Sequence, residues 1–596
     1  MRKRKQENVL GNTGLTHFDV CIIGSGAGGG TAAHVLTAGG KNVLVLETGP
    51  LTYDFLDDPK RDPVPLHSND EVKYEVRMWI DPIADLDPRT FRQGASGPAT
   101  LNEDVNQLPR LVGGAFGHAD VKTPRFTKVD FRLKTAVEEL IGATPMLAVP
   151  GFGSDSASAN FADWPFSYDD LEPFYTEIEQ LYGVQGAEDN PYASTRSKPY
   201  PMPPGVPMYL GLKLAAGCMA TSLDGRVLTP HHFPATAASQ FYDGRPPCVD
   251  CGMCSGFGCP NNSKGAPAVV TLRKALLSGR CQLRYNATVM RLGVAGGRVT
   301  DVEYVDADGA PQTASADAFI LAASAIESAR LALLSGVPSA SGQIGRNLMF
   351  HLQTNVNGFS PERIHGQRGR AVTHGVSDFR GVEPGGEALR VFSTPDGPRL
   401  RLGGVCEFGG SQGLPITEDG WVYALQLGVA PGQALKNALR DGALGQHLFG
   451  LIMQAEDAPQ LANQIDLDPT VKDVFGRPAA RVSYDTHPFE KETRDFYIPF
   501  LREVVTKAGG TNAFITPCDL ALGAPTSRHV MGTLRMGSDP ATSVVDAGGK
   551  FHEVENLYTC DGSVFVTSSG WNPTLTLMAV AAKIAHGIAG TPPVLL

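Results

Sequence analysis

The sequence predicts an α/β fold. Three observations predict it. Between His17 and Gly49 the chain reads as strand, glycine-rich turn, helix and strand. A second apolar run, Ala318-Phe319-Ile320-Leu321-Ala322-Ala323, leads into a helical pattern from Ile326 to Leu334. The C-terminal piece, His529 to Ala589, returns to strand character and then to a long small-residue helix, Leu575 to Ile588.

Each element follows from its residues. Phe18-Asp19-Val20-Cys21-Ile22-Ile23 is short and apolar, as a buried strand requires. The run from Gly24 to Gly30 is the turn, Thr31 to Ala38 is the helix, and Gly39-Gly40 ends it. Asn42-Val43-Leu44-Val45-Leu46 is a second buried strand, closed by Glu47. Inside this unit lies Gly24-x-Gly26-x-x-Gly29. Gly24 permits the tight turn, Gly26 lets backbone amides approach a pyrophosphate, and Gly29 lets helix and strand pack closely. The helix N-terminus stabilises phosphate charge, and Glu47 accepts hydrogen bonds from a ribose. The motif thus points to a Rossmann-like dinucleotide site, but by itself it does not separate FAD from NAD.

Composition bounds the rest. The 596 residues leave room for two or three domains at roughly 100–200 residues each. Hydrophobic residues make up 42% and charged residues 19%, which excludes a disordered chain. A net charge of −11 argues against a nucleic-acid partner. The one basic cluster, Arg2 to Lys5, reads as a solvated terminus. No stretch approaches ~18 uninterrupted apolar residues, so no membrane span is expected. No apolar leader precedes the first strand, and the expected location is cytoplasmic. Residues from about 50 to 110 are rich in Pro and Asp and predict an extended excursion. Cys281 to Val305 regains strand character, and residues 345–515 mix helices with alternating strands such as Val422 to Leu427.

The C-terminal region carries His529-Val530-Met531-Gly532-Thr533-Leu534-Arg535-Met536-Gly537, then Asn556 to Ser563, then Gly570-Trp571-Asn572-Pro573-Thr574-Leu575-Thr576. With Trp164 to Leu171, Ala322 to Leu334 and Gly345-Arg346-Asn347-Leu348, these motifs closely resemble the glucose–methanol–choline (GMC) oxidoreductases over almost the full chain. The resemblance implies FAD and a Rossmann-like FAD-binding domain with an inserted substrate domain containing an antiparallel sheet. It divides the chain into FAD-binding segments at 15–150, 205–344 and 521–596, with substrate-domain segments at 151–204 and 345–520. The family's conserved His maps to His529 and its Asn partner to Asn572. The chemistry suits these types: a base takes the hydroxyl proton while the C–H hydride goes to flavin N5. A neutral His, with a pKa near ~6.5, fits the first task. Asn572 orients the hydroxyl without adding charge, and it also reads as a cap for the helix that follows Pro573. Cofactor contacts are implied at Gly24, Gly26, Ala27, Gly29, Glu47, Gly113, Gly114, His118, Val289, Ala323, Asp561, Gly562, Pro573 and Thr574.

The loop Val112-Gly113-Gly114-Ala115-Phe116-Gly117-His118 resembles the flavin-contacting loop of pyranose oxidases, where the equivalent His is covalently attached to FAD. Those enzymes follow it with Trp and Thr, whereas this chain has Ala119 and Asp120, so non-covalent contact of His118 is the expectation. Cys248-x-x-Cys251-x-x-Cys254-x4-Cys259-Pro260 comes close to a ferredoxin spacing, with one residue too many before the last Cys. Sugar-dehydrogenase flavosubunits hold an iron–sulfur cluster in such a segment, while alcohol-oxidising relatives carry a similar pattern without one. Three readings stand: a cluster, zinc, or an empty structural loop, the last ranked first.

The implied substrate is a small sugar or polyol. The implied acceptor is oxygen or another oxidant, with a small or electron-accepting partner subunit as a further reading. A sterol or aliphatic alcohol is the alternative substrate. An electron-transferring flavoprotein subunit, or a non-redox lyase on the same fold, is the alternative function.

Overall fold

The computed structural model describes residues 8–51, 88–101, 109–144, 147, 149, 159–252, 254–366, 368–409, 428–441, 446–516, 525 and 527–595. Most of the Pro- and Asp-rich excursion, the strand expected at Val422 to Leu427, and Cys518 lie outside these residues.

Three short apolar strands, Val20–Ile23, Val43–Leu46 and Ala318–Leu321, are wholly or almost wholly buried, and Cys281–Arg284, which carries Gln282 and Arg284, lies beside them in the same sheet. Runs with no polar face fit a parallel sheet covered on both sides. They pair in parallel, with Leu557–Thr559 added beside Ala318–Leu321 and Val9–Gly11 antiparallel at the other edge. The small-residue helix Ala27–Ala38 packs between the helices Thr574–Ala589 and Thr271–Leu277.

The first helix starts at Ala27, four residues before the expected Thr31. Glycines 28 and 29 are therefore its first turn, not a loop. A Cβ on Gly28 would lie 2.1 Å from the Cys560 carbonyl oxygen, and one on Gly29 would lie 2.1 Å from that of Gly24. The helix is thus pressed onto the ends of two strands, and only hydrogen fits between. Gly28→Val is expected to abolish retention of a dinucleotide cofactor through purification, because the clash is with backbone that cannot turn aside. Flavin absorbance of the purified variant checks this; normal flavin content would show that the close packing is dispensable.

A second six-stranded sheet is antiparallel, in the order Thr511–Ile515, Leu352–Phe359, Leu448–Ala455, Gly404–Gly409, Val372–Val376, Pro230–His232. The helices Pro488–Lys507 and Tyr209–Met219 cover one face. Leu352, Val356, Cys406, Phe408, Leu451 and Met453 join those helices in one apolar cluster. Within 205–344, Tyr209–Met219 and Pro230–His232 belong to this antiparallel layer, whereas Cys281–Arg284 and Ala318–Leu321 belong to the parallel sheet.

Candidate active site

A cavity of about 620 Å³ lies at the carboxyl ends of the parallel strands. It is lined there by Ile23 to Gly28, Leu46 to Thr48, Ala322 to Ala325, and Asp561 to Gly562. Open α/β sheets bind ligands at this end because the loops there carry helix N-termini. The N-termini of Ala27–Ala38 and Thr574–Ala589 both reach this wall.

Glu47 is buried at the end of its strand. Its Oε2 accepts from the Ser25 amide at 2.9 Å and the Ser25 hydroxyl at 2.7 Å, and its Oε1 accepts from the Gly49 amide at 2.7 Å. Three of about four acceptor sites are used, which leaves one for a ligand hydroxyl. Burial holds its carboxyl above the usual range. The Ser25 hydroxyl oxygen accepts from the Gly113 amide at 3.0 Å and so ties the second glycine loop to the first. Gly114 has φ +64°, and a Cβ there would lie 2.7 Å from the Gly26 Cα. Two glycine loops in contact beside two helix N-termini make a cradle suited to a pyrophosphate.

Of the residues expected to touch a cofactor, Gly24, Gly26, Ala27, Glu47, Gly114, His118, Val289, Ala323, Asp561, Gly562, Pro573 and Thr574 line the cavity. Gly29 and Gly113 do not. Gly29 serves helix–strand packing behind the wall, and Gly113 anchors Ser25. Asp561 accepts from the Ser328 hydroxyl at 2.5 Å and the Ser563 amide at 2.9 Å.

The His118 ring is buried against the cavity, and burial with the nearby Lys264 charge pushes its pKa down to about 3. Its carbonyl accepts from the Gly256 amide at 2.8 Å. The Lys264 ammonium donates to the carbonyls of Ala119 and Phe257, each at 2.9 Å, and to that of Cys254. The cysteine-rich loop is thereby clamped onto the His118 loop.

The four cysteines of that loop differ in burial. Cys254 and Cys259 are buried, Cys248 is half-buried, and Cys251 faces solvent. The Cys259 thiol donates to Asn261 Oδ1 at 3.1 Å. Among the described residues, one set of three or more His, Cys, Asp or Glu ligand atoms gathers within 4.8 Å, and it is His17, Asp19 and Asp317. Burial pushes the Cys248 thiol up to about 12. Among the described residues, no three of Cys248, Cys251, Cys254 and Cys259 bring their Sγ atoms within 4.8 Å of one another.

The opposite wall comes from the antiparallel sheet. Side chains alternate along a strand. Because Leu352, Cys406, Phe408 and Met453 enter the helix-backed cluster, Gln353, Glu407 and Gln454 take the other face. Gln353 and Gln454 stand in register and line the cavity, with Gln353 Nε2 donating to Gln454 Oε1 at 3.0 Å. Glu407 is 0% exposed. Its carboxylate meets the Lys122 ammonium, which also lies 2.9 Å from Asp120 Oδ2. Both carboxylates hold the Lys122 pKa above its ordinary value despite the cost of burial.

Asn572 hydrogen-bonds the Glu407 carboxylate through its side-chain amide. The donor is Nδ2, since a carboxylate only accepts, so Oδ1 is left buried without a protein partner. The expected helix cap is not formed: the helix starts at Thr574 with Pro573 at the cap position and no side-chain cap bond. Placement comes instead from Gly570, whose carbonyl accepts from the Val405 amide at 2.9 Å and sets Asn572 beside the strand that carries Glu407.

His529 lines the same end of the cavity. Burial, then His351 and then Lys122 drive its pKa well below 6.5. Its Nδ1 lies 2.8 Å from Nδ1 of His351, and His351 Nε2 lies 3.1 Å from the Ser568 carbonyl oxygen. The structure thus brings His529, Asn572 and His118 to one cavity and adds His351, Lys122, Glu407, Gln353 and Gln454, which sequence reasoning missed. His351 stands three residues past the Gly345 to Leu348 motif, and Lys122 four past His118, but neither carries a signal of its own in the sequence.

A glycine cradle at the carboxyl ends of a parallel sheet defines a dinucleotide-binding class of α/β protein. Residues 234–353 match the N-terminal model and residues 459–581 the C-terminal model of the GMC oxidoreductases, and the chain belongs to that family. It is 27% identical to 2-methyl-1,2-propanediol dehydrogenase of Mycolicibacterium austroafricanum, covering 97% of this chain and 96% of the relative. It is 26% identical to the gluconate 2-dehydrogenase flavoprotein of Pantoea cypripedii, over 96% and 94%. The solved structure of pyridoxine 4-oxidase from Mesorbium loti superposes with a TM-score of 0.59 at 18% identity, over 96% of this chain and 99% of that one.

Proposed function

We propose that this protein oxidises a sugar or polyol hydroxyl with FAD as the cofactor. The observation that carries the reading is the polar end of the cavity. Gln353, Gln454, Lys122, Asp120 and Arg528 line it beside His529 and Asn572. Side chains that donate and accept suit a substrate with several hydroxyls, whereas a sterol would cover this polar surface without adding hydrogen bonds to it. The dehydrogenase names of the full-length relatives support the same class.

FAD would be held by the Gly24 to Gly28 turn, Glu47, Asp561 to Gly562 and Pro573 to Thr574, with His118 in non-covalent contact. When bound, it supplies the acceptor for the hydride from the carbinol carbon. His529 takes the hydroxyl proton. Asn572 holds the substrate oxygen, with Glu407 and Lys122 fixing its amide from behind. The cysteine-rich loop acts as structure, clamped by Lys264. Iron and acid-labile sulfide are expected to be absent from anaerobically purified protein; stoichiometric amounts of both would overturn that assignment.

Anaerobic mixing with a panel of sugars, polyols, aliphatic alcohols and sterols tests the substrate class. Bleaching of the oxidised flavin band is expected with the first two. Bleaching by sterols or simple alcohols alone would sink the proposal. Admission of oxygen then reports whether oxygen serves as acceptor.

The pH dependence follows from His529. The neutral ring is the active base, and its pKa lies well below 6.5. Protonation removes activity only below that shifted value, so the rate of flavin reduction should stay level as pH falls through 6.5. Stopped-flow reduction from pH 8 to 5 checks this. A limb centred near 6.5 would show an ordinary, solvated imidazole.

A further inference from the structure

We propose that His351 is a positioning residue that holds His529 in the tautomer whose Nε2 carries the free lone pair, making Nε2 the atom that takes the substrate proton. The inference rests on His529 being the base.

The backbone sets the two rings against each other. Met349 and Met531 form an antiparallel bridge, so residues 351 and 529 fall opposite one another. The ring centroids are 5.0 Å apart at 87°, and the two Nδ1 atoms are 2.8 Å apart. Two nitrogens at that distance share one proton, and the far end of His351 decides which nitrogen owns it. His351 Nε2 faces the Ser568 carbonyl oxygen at 3.1 Å. A carbonyl oxygen only accepts, so His351 Nε2 carries a hydrogen. His351 is 1% exposed, and burial keeps the ring neutral by pushing its pKa down to about 4. A neutral imidazole with hydrogen on Nε2 has a lone pair on Nδ1. His529 must then donate from its own Nδ1–H, which leaves its Nε2 unprotonated.

Ser568 is itself fixed. Its hydroxyl donates to the Asp457 carbonyl at 3.0 Å and accepts from the Asp457 amide at 2.7 Å. The chain of contacts therefore starts from rigid backbone and runs Ser568 to His351 to His529. It ends at a carbonyl at one extreme, so a proton taken by His529 stays there. The charged ring then donates a stronger Nδ1–H bond to His351, which stabilises it without a carboxylate. A carboxylate holds the same tautomer in hydrolase triads, where losing the correct tautomer costs about 10⁴-fold.

The test uses flavin-loaded protein labelled with ¹⁵N-histidine, with His529→Gln identifying the signals of His529. The expected wild-type spectrum shows His529 protonated at Nδ1. In His351→Leu the ring loses its acceptor, and the Nε2–H form, favoured by free imidazole, should appear. Flavin reduction should fall about 10–100-fold, less than for a ring locked in the wrong tautomer because His529 then samples both. His351→Asn keeps an acceptor oxygen near the Nδ1 position and should retain the Nδ1–H signal and recover most of the rate. A wild-type His529 protonated at Nε2, or a tautomer unchanged in His351→Leu with flavin still bound, would overturn the proposal. If His529→Ala reduced flavin at the wild-type rate, the base assignment would fail instead, and the wild-type spectrum would still report the tautomer.

Discussion

Replacing His529 with alanine is expected to slow substrate reduction of the flavin by roughly 10²–10⁴-fold while the flavin remains bound, the usual worth of a positioned general base. The groups proposed to hold the nucleotide, the Gly24 to Gly28 turn, Glu47 and Asp561, stand at the strand ends of the cavity, whereas His529 shares its end with Gln353 and Gln454. Cofactor content should therefore be insensitive to the change. Asn572→Ala should cost less, because it removes a hydrogen-bonding group and leaves the proton acceptor in place. The defect should appear in the limiting rate of anaerobic reduction, since deprotonation belongs to the chemical step. A reduction rate within a few-fold of wild type would remove His529 from the mechanism.

The parts of this molecule that were legible in the sequence are those governed by local rules. Val20 to Ile23, Val43 to Leu46 and Ala318 to Leu321 are apolar throughout, and a strand buried on both faces has no other composition open to it. The glycine turn and Glu47 were readable from their strand–turn–helix–strand context, whereas His529 and Asn572 were placed by the motifs that resemble the GMC oxidoreductases; all of them meet at one cavity. The helix start at Ala27 was not, because glycine reads as turn until the carbonyl of Cys560, more than 500 residues away, is known to press on Gly28. Glu407 was illegible for a related reason. An acid in an otherwise apolar strand reads as an outward-facing residue until Lys122, from a distant loop, is placed against it. His351 gave no chemical signal alone, since its meaning lies in a 2.8 Å contact with His529. The cysteine spacing left a cluster, zinc and an empty loop open, and the structure sorts its members by burial: Cys251 faces solvent while Cys254 and Cys259 are buried.

Lys122→Met is expected to destabilise the folded protein by about 3–5 kcal/mol, the usual cost of removing one partner from a buried charge network. The lysine side chain is 11% exposed and serves two carboxylates, Asp120 at 16% and Glu407 at 0%. Methionine fills much of the same volume, so the loss is electrostatic more than steric. Without the ammonium, Glu407 has the Asn572 amide as its named partner, and burial already favours its protonated form. Its folded pKa should therefore rise further above the value of the unfolded chain. A folded state that binds the extra proton is favoured at low pH, so the stability deficit should be smallest near pH 4.5 and should grow as pH rises toward the raised folded value. Denaturant melts of the flavin-loaded protein at several pH values read this directly. Adding Glu407→Gln to Lys122→Met removes the stranded charge and should recover part of the loss, the remainder belonging to Asp120. A deficit independent of pH, with no recovery in the double variant, would mean that Lys122 contributes by packing and that Glu407 is held by other groups. If the predicted recovery is found, the neutral amide introduced at position 407 still offers Asn572 an acceptor oxygen in the double variant. Flavin reduction should then return further than Lys122→Met alone allows, because the amide that faces the substrate is again fixed from behind.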